Sequence, residues 1–255
     1  MINVPSKDGH HNDRFINIDT TTTSGIQRAV QLGFATSGLG NAIVSPFLFE
    51  TNLLLQPNTL LMGRFFGLFY HPVERAVRVF GQLKETDLEV EFMDLQGYAA
   101  STRIENNLLT RTLSNQPTGE LTEEHMKVAL EIIRRKFLVG LGRFMNASLI
   151  RFEQYYHWSF KVNPLYQEQC RNQIIKKDTL VDMPAEGTTN WNLIMLQNQF
   201  DMQLYGYIES LFSEQEQFVS DVSKDVRNEE ATCCECVPPT LPVGSGYECP
   251  LPVHL

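Results

Sequence analysis

The sequence predicts an α/β protein, three layers with helices on both faces of a mostly parallel sheet. Three observations carry that prediction. Arg64–Tyr70, RFFGLFY, is an aromatic and aliphatic run of strand length, and it passes through His71-Pro72 into a helical pattern at Ala76, Val77, Phe80 and Leu83. Leu121–Lys136 has helical periodicity and continues without a break into Phe137-Leu138-Val139-Gly140-Leu141, a second buried-strand pattern. Another helical pattern, MNASLIRFEQYY, follows that strand at once.

Composition narrows the class. A chain of 255 residues, 42% of them apolar, can bury one sizeable core. No apolar run approaches the ~20 residues a helix needs to cross a bilayer. A net charge of -9 works against general affinity for nucleic acid or acidic membranes. The opening MINVPSKDGHHNDR has no apolar centre, so no secretory signal is read there, and residues 1–14 are expected to be disordered. Residues 15–219 form the expected α/β domain. Four of the five cysteines fall in the last 23 residues, leaving Cys170 alone in the body, so no disulfide framework is expected. From 220 to 255 the pattern fades into a Cys/Pro-rich tail that reads as disordered. The spacing of Cys233, Cys234, Cys236 and Cys249 does not match paired zinc knuckles, so these read as reactive thiols, and no metal is expected.

Each element has its own signal. Phe15–Asp19 alternates apolar and polar residues, as a short strand does. Thr20–Gly25 is a hydroxyl-rich turn leading into a helix at Ile26, Ala29 and Val30. Such a turn can cradle a phosphate or cap the helix, and capping by Thr22, Thr23 or Ser24 is the reading adopted. Gly-x-x-x-x-Gly-Lys-Ser/Thr is absent, which excludes an ATPase loop. Ala42–Ser45 reads as a buried strand ending at Pro46, and residues 47–55 as a helix or packed connection. Pro72 suits the first helical position because it has no amide hydrogen, and Glu74 complements the dipole. Free amides at such a turn can hold an anion.

Beyond that helix, Glu85–Glu91 reads as a solvated acidic linker, and Arg103–Asn115 as a helix ended by Asn115-Gln116-Pro117. Thr122 caps the helix to Lys136, with Glu123 and Glu124 in its first turn and Arg134–Lys136 in its last. His125 reads as a surface residue, not a base. Leu149, Phe152, Tyr155 and Tyr156 form a stripe expected in the core. Asn146-Ala147-Ser148 is a glycosylation triplet read as unused. Asn163–Glu186 reads as a loop, and Trp191–Phe212 as one long helix.

HPVERA at His71–Ala76, followed by its aliphatic-aromatic helix, resembles the second nucleotide-binding motif of the P-loop sulfotransferases. The likeness is to the branch that includes heparan sulfate 2-O-sulfotransferase and algal relatives. The family motif is Arg-x-Pro-x-x-Arg-x-x-Ser, whose leading Arg and trailing Ser bind the 3′-phosphate of 3′-phosphoadenosine 5′-phosphosulfate (PAPS). Tyr70 and Arg78 stand at those two positions here. Glu105, Asn106, Asn107 and Arg111 resemble a Glu-Asn-Asn…Arg segment near the family's acceptor cleft. Asn198, Asp201, Leu204, Tyr205 and Tyr207 resemble its closing helix.

The resemblance implies an incomplete P-loop core. PAPS would be the co-substrate, with no metal, and a hydroxyl of a carbohydrate the acceptor. Donor contacts would fall at Tyr70, His71, Arg75, Arg78 and Arg64, and acceptor contacts at Asn106, Asn107 and Arg111. The mechanism requires a general base, for which no residue is assigned. The family also has an earlier strand and a Gly/Thr-rich loop gripping the donor's 5′-phosphosulfate. Met1–Arg14 offers Lys7, Gly9, His10, His11 and Arg14 without a strand. The core is therefore expected to lack that strand and loop, as in an N-terminally truncated chain, and to expose unpaired sheet edges. Two functions follow: an active sulfotransferase, or an inactive relative that acts by binding. Tyr70 and Arg78 favour the second. The family works in the Golgi lumen behind an anchor, whereas the absence of a signal reads as cytoplasmic.

Overall fold

The computed structural model describes residues 2–5, 12–16, 18–37, 39, 42–54, 64–156, 164–178 and 181–229. In chain order the elements are β1 (Ile2–Pro5), β2 (Asn12–Phe15), α1 (Thr23–Gln31), α2 (Leu48–Leu54), β3 (Phe65–Phe69), α3 (Pro72–Thr86), α4 (Leu95–Ala100) and α5 (Leu108–Ser114). They continue with α6 (Glu123–Lys136), β4 (Phe137–Leu141), α7 (Met145–Tyr155), α8 (Pro164–Lys177), α9 (Thr189–Gln197) and α10 (Gln199–Glu229). The protein is α/β and mostly helical, with β3 and β4 forming a small parallel sheet. It divides into two compact units, residues 1–65 with 111–136 and residues 66–110 with 137–255.

In the first unit β1 and β2 pair antiparallel, Ile2 opposite Phe15 and Pro5 opposite Asn12. Two expectations are corrected. Residues 2–5 and 12–14 are strand, not disordered, and β2 ends where a strand was expected to begin. Ile18 N–H bonds back to the Ile16 carbonyl at 2.7 Å, and a bond over two residues closes a tight turn that no extended ladder can contain. Thr22 does cap α1, its Oγ1 accepting the Gly25 N–H at 3.1 Å. Ile26 and Ala29 of α1 then pack with Phe34, Leu54, Ile43 and Phe47. Ala42–Ser45 is not a strand: Val44 is 59% exposed and its carbonyl accepts from Thr20 Oγ1 at 2.8 Å instead of from a neighbouring strand. α6 follows the expected bounds. Its His125 Nδ1 accepts the Thr122 N–H at 3.0 Å, the part that Glu or Gln plays in a capping box.

In the second unit the sheet supports two clusters. Leu68, Tyr70 and Leu138 pack with Met145, Leu149 and Phe152 of α7, while Tyr155 and Tyr156 lie against them, so the aromatic stripe is core. Ser148 of the glycosylation triplet is buried. Val73 and Ala76 of α3 pack with Val90, Tyr98, Ala99, Ile104 and Ile194. The stretch expected as a loop contains α8, opened by Pro164 at its first position. Its polar sequence hides a packing face: Ile174 and Ile175 lie on the α7 cluster, and Arg171 pairs with Glu153 at 2.7 Å. Cys170 of α8 is disulfide-bonded and not alone as expected. α10 runs to Glu229, into the stretch read as tail, and the four tail cysteines lie outside the described residues.

One edge of β4 is closed without a strand. Successive residues of a strand direct their N–H and C=O groups to opposite edges, so Phe137, Val139 and Leu141 share one. Gln215 of α10 donates Nε2 to the Phe137 carbonyl at 2.7 Å and accepts the Val139 N–H on Oε1 at 2.9 Å. Ser148 Oγ accepts the Leu141 N–H at 2.8 Å and donates to its carbonyl at 3.1 Å. Arg151 Nη1 reaches the Val139 carbonyl at 3.4 Å and that of Phe212 at 2.7 Å. The exposed-edge expectation fails here because three side chains supply what a further strand would.

Candidate functional site

β3 delivers Tyr70 and His71 to the start of α3, the sheet-to-helix junction that the sequence predicts. Two amides of that junction are used internally. Pro72 has none, Val73 N–H goes to His71 Nδ1 at 3.3 Å, and Arg75 N–H to the His71 carbonyl at 2.9 Å. Because Nδ1 accepts, the proton of the neutral ring is assigned to Nε2. The ring stacks on Trp191 at 5.1 Å and meets Tyr205 edge-on at 5.3 Å. Burial, then the charge of Arg143, lowers the His71 pKa against the opposing pull of Glu186.

Tyr70 and Arg78, at the two altered motif positions, meet one another. The Arg78 guanidinium lies 4.5 Å from the Tyr70 ring centroid. Tyr70 donates its hydroxyl to Asp178 Oδ1 at 3.0 Å, and Arg78 Nη1 binds the same oxygen at 3.0 Å. Arg78 Nη2 also binds Glu74 at 2.7 Å. Burial first, and then Asp178, raises the Tyr70 pKa, so this position stays an uncharged phenol. Gly142 makes room for it: a Cβ there would lie 2.3 Å from Tyr70 Cε1.

Arg75 is 8% exposed and holds two carboxylates, Glu105 at 2.9 Å and Asp201 at 2.8 Å. Burial alone would lower its pKa, but Asp201 and Glu105 outweigh that and raise it. Asp201 also accepts the N–H groups of Leu109 and Thr110, at 3.0 and 2.8 Å, and the Thr110 hydroxyl at 2.7 Å, which caps the start of α5. Asn107 returns the favour for α10, its Oδ1 accepting the N–H groups of Phe200 and Asp201 at 2.8 and 3.1 Å. It does so with φ at 51°, a left-handed backbone that Asn tolerates better than most residues. Asn198 breaks the expected long helix into α9 and α10, because its Oδ1 accepts the Asn107 N–H at 2.9 Å while its Nδ2 donates to the Ile194 carbonyl at 3.0 Å. Asn106 donates Nδ2 to Gln197 Oε1 at 3.1 Å. Arg103–Asn107, expected to be the first part of a helix, is instead a strap between helix ends, and the helix begins only at Leu108.

The remaining predicted residues belong to the first unit. Arg111 donates Nη1 to the carbonyls of Gln116 and Gly119, at 3.2 and 3.0 Å, and so ties the loop after α5. Arg64 is exposed and its charge, after burial and Arg135, lowers the Lys136 pKa. The Thr20–Gly25 turn borders an open cleft of about 680 Å³, but its donors are used within the protein: Thr21 gives its N–H and hydroxyl to the Asp19 carboxylate, and the Thr22 hydroxyl goes to the Asp19 carbonyl. Among the described residues no three of His, Cys, Asp or Glu gather to hold a metal ion. No helix among them is long and apolar enough to cross a membrane.

Sequence reasoning missed Asp178, because it read the stretch before it as a loop, and it gave Gln215 no role. Neither residue carries a local signal, since each acts on a distant part of the chain. No family model matches the chain, and no curated protein or solved structure matches it either.

Proposed function

We propose that the chain is a catalytically inactive relative of the P-loop sulfotransferases that works as a binding or interaction protein. The observation that carries this reading is the condition of Arg75, buried between Glu105 and Asp201. A donor phosphate needs an uncompensated cation, and a guanidinium shared by two carboxylates offers an anion little net attraction. Freeing it would leave the buried Asp201 and the partly buried Glu105 without their counter-charge, at a cost of about 3–5 kcal/mol. Arg78 is held likewise by Glu74 and Asp178, and Tyr70 brings no charge. The amides of Val73 and Arg75 at the junction are already engaged.

The kinship half of the reading is supported by the strand, proline turn and helix across residues 65–86. It is also supported by the meeting of all three stretches behind the resemblance, through Arg75, Glu105–Asn107 and Asn198–Asp201. Calorimetric titration with 3′-phosphoadenosine 5′-phosphate tests the proposal. No heat is expected up to millimolar ligand. Micromolar binding that disappears in Arg78→Ala would overturn inactivity and restore sulfuryl transfer from PAPS to a carbohydrate hydroxyl as the better reading.

A further inference from the structure

The segment after α3 presents a surface that nothing above uses. The Asp87 carbonyl accepts the N–H groups of Val90 and Glu91, at 3.0 and 2.9 Å, and the Val90 carbonyl accepts that of Met93 at 3.0 Å. These bonds make residues 87–93 a helical turn, not the solvated linker that its acidity suggests. Val90 is fully buried in the α3–α4 cluster. Asp87 pairs with Arg103 and accepts the Glu89 N–H at 3.0 Å, and Lys84 Nζ donates to the Met93 carbonyl at 3.2 Å. The turn is thus fixed at both ends and pinned in the middle.

Residues four apart in a helical turn share a side, which brings Leu88 and Phe92 together. They are 82% and 86% exposed, the most exposed large apolar side chains among the described residues. Glu85, Glu89, Glu91 and Asp94, all exposed, flank them in the sequence, and Glu89 pairs with Arg103 at 3.5 Å. Scattered apolar residues on a surface need no explanation, but a rigidly held aromatic–aliphatic pair on a segment with an excess of carboxylates does. Rigid presentation removes much of the ordering cost of association, and an aromatic anchor is the usual centre of a binding surface.

We propose that Leu88 and Phe92 pack onto the apolar face of an amphipathic helix of a partner protein, a helix whose polar face carries lysines or arginines. The excess of carboxylates on the segment sets the sign of that polar face. A second copy of this chain, itself at net charge -9, and an anionic membrane would both be repelled. The surface lies on side chains that the Arg75 network does not use, so its failure would leave the reading of that network untouched.

The test uses the full chain and a fluorescein-labelled amphipathic helical peptide, leucines on one face and lysines on the other, followed by anisotropy. The chain is expected to bind this peptide and to ignore the matched leucine–glutamate peptide. Leu88→Ser with Phe92→Ser should weaken binding at least tenfold without changing the near-ultraviolet circular dichroism. Glu85→Lys with Glu91→Lys, which touches neither the apolar pair nor the Arg103 contacts, should weaken it as well. Binding by either double variant as tight as that of the parent, or no binding by the parent chain, would overturn the proposal. So would a concentration-dependent dimer in sedimentation that the serine variant loses, because the occupant would then be a second copy.

Discussion

His71 shows how one side chain can serve as a cap and also register pH. Its Nδ1 accepts the Val73 amide only while that nitrogen is unprotonated, and burial and Arg143 hold its pKa below the ordinary 6.5. The unfolded chain therefore takes up the proton first, and stability falls as pH drops from 7 through 6.5. The loss is complete once pH passes below the folded value. His71→Asn keeps a capping acceptor and cannot titrate, so its urea midpoint should change less between pH 7 and 5 than that of the parent. Gly142 makes a steric prediction beside it. Tyr70 is held by Asp178 at its hydroxyl and Arg78 over its face, so the ring has little freedom to retreat from a new Cβ. Gly142→Ala should cost about 1–3 kcal/mol in denaturant unfolding, the range for overpacking a filled core.

Between elements, side chains carry out tasks usually given to backbone. Gln215 finishes the edge of β4 from α10. Gln215→Ala leaves a buried N–H and a buried C=O without partners, at about 1–3 kcal/mol each, and should lower the denaturation midpoint accordingly. Asn107 joins α5 to α10 while strained at positive φ. Asn107→Ala loses the caps and keeps the strain, whereas Asn107→Gly loses the caps but relieves roughly 1 kcal/mol of it. Both should be less stable than the parent chain, with the glycine variant the better of the two. Such couplings explain what the sequence hid. α3, α6, β4 and α7 were legible because caps, dipole charges and apolar periodicity are local signals. α8 was not, since its polar composition masks Ile174 and Ile175, whose partners lie on α7. The break at Asn198 was not legible either, because it depends on Asn107 far away in the chain.

For the molecule as a whole, the stretches that stood out in sequence do converge, but on one another. Within the second unit, Arg75, Glu105, Asn107, Asn198 and Asp201 join α3, the first residues of α5, α9 and α10 through ion pairs and caps. Their residue types were visible in advance, yet the choice between gripping a ligand and gripping other helices depends on tertiary distances alone. That choice has a measurable sign. A ligand-gripping arginine is commonly a burden on stability, so replacing it leaves the fold unchanged or firmer. A structural one leaves buried carboxylates stranded when it is lost. The decisive measurement is the unfolding free energy of Arg75→Met, which keeps the bulk and removes the charge. A loss of about 3–5 kcal/mol is expected if Arg75 is an internal strut, and a variant as stable as the parent, or more so, would contradict that.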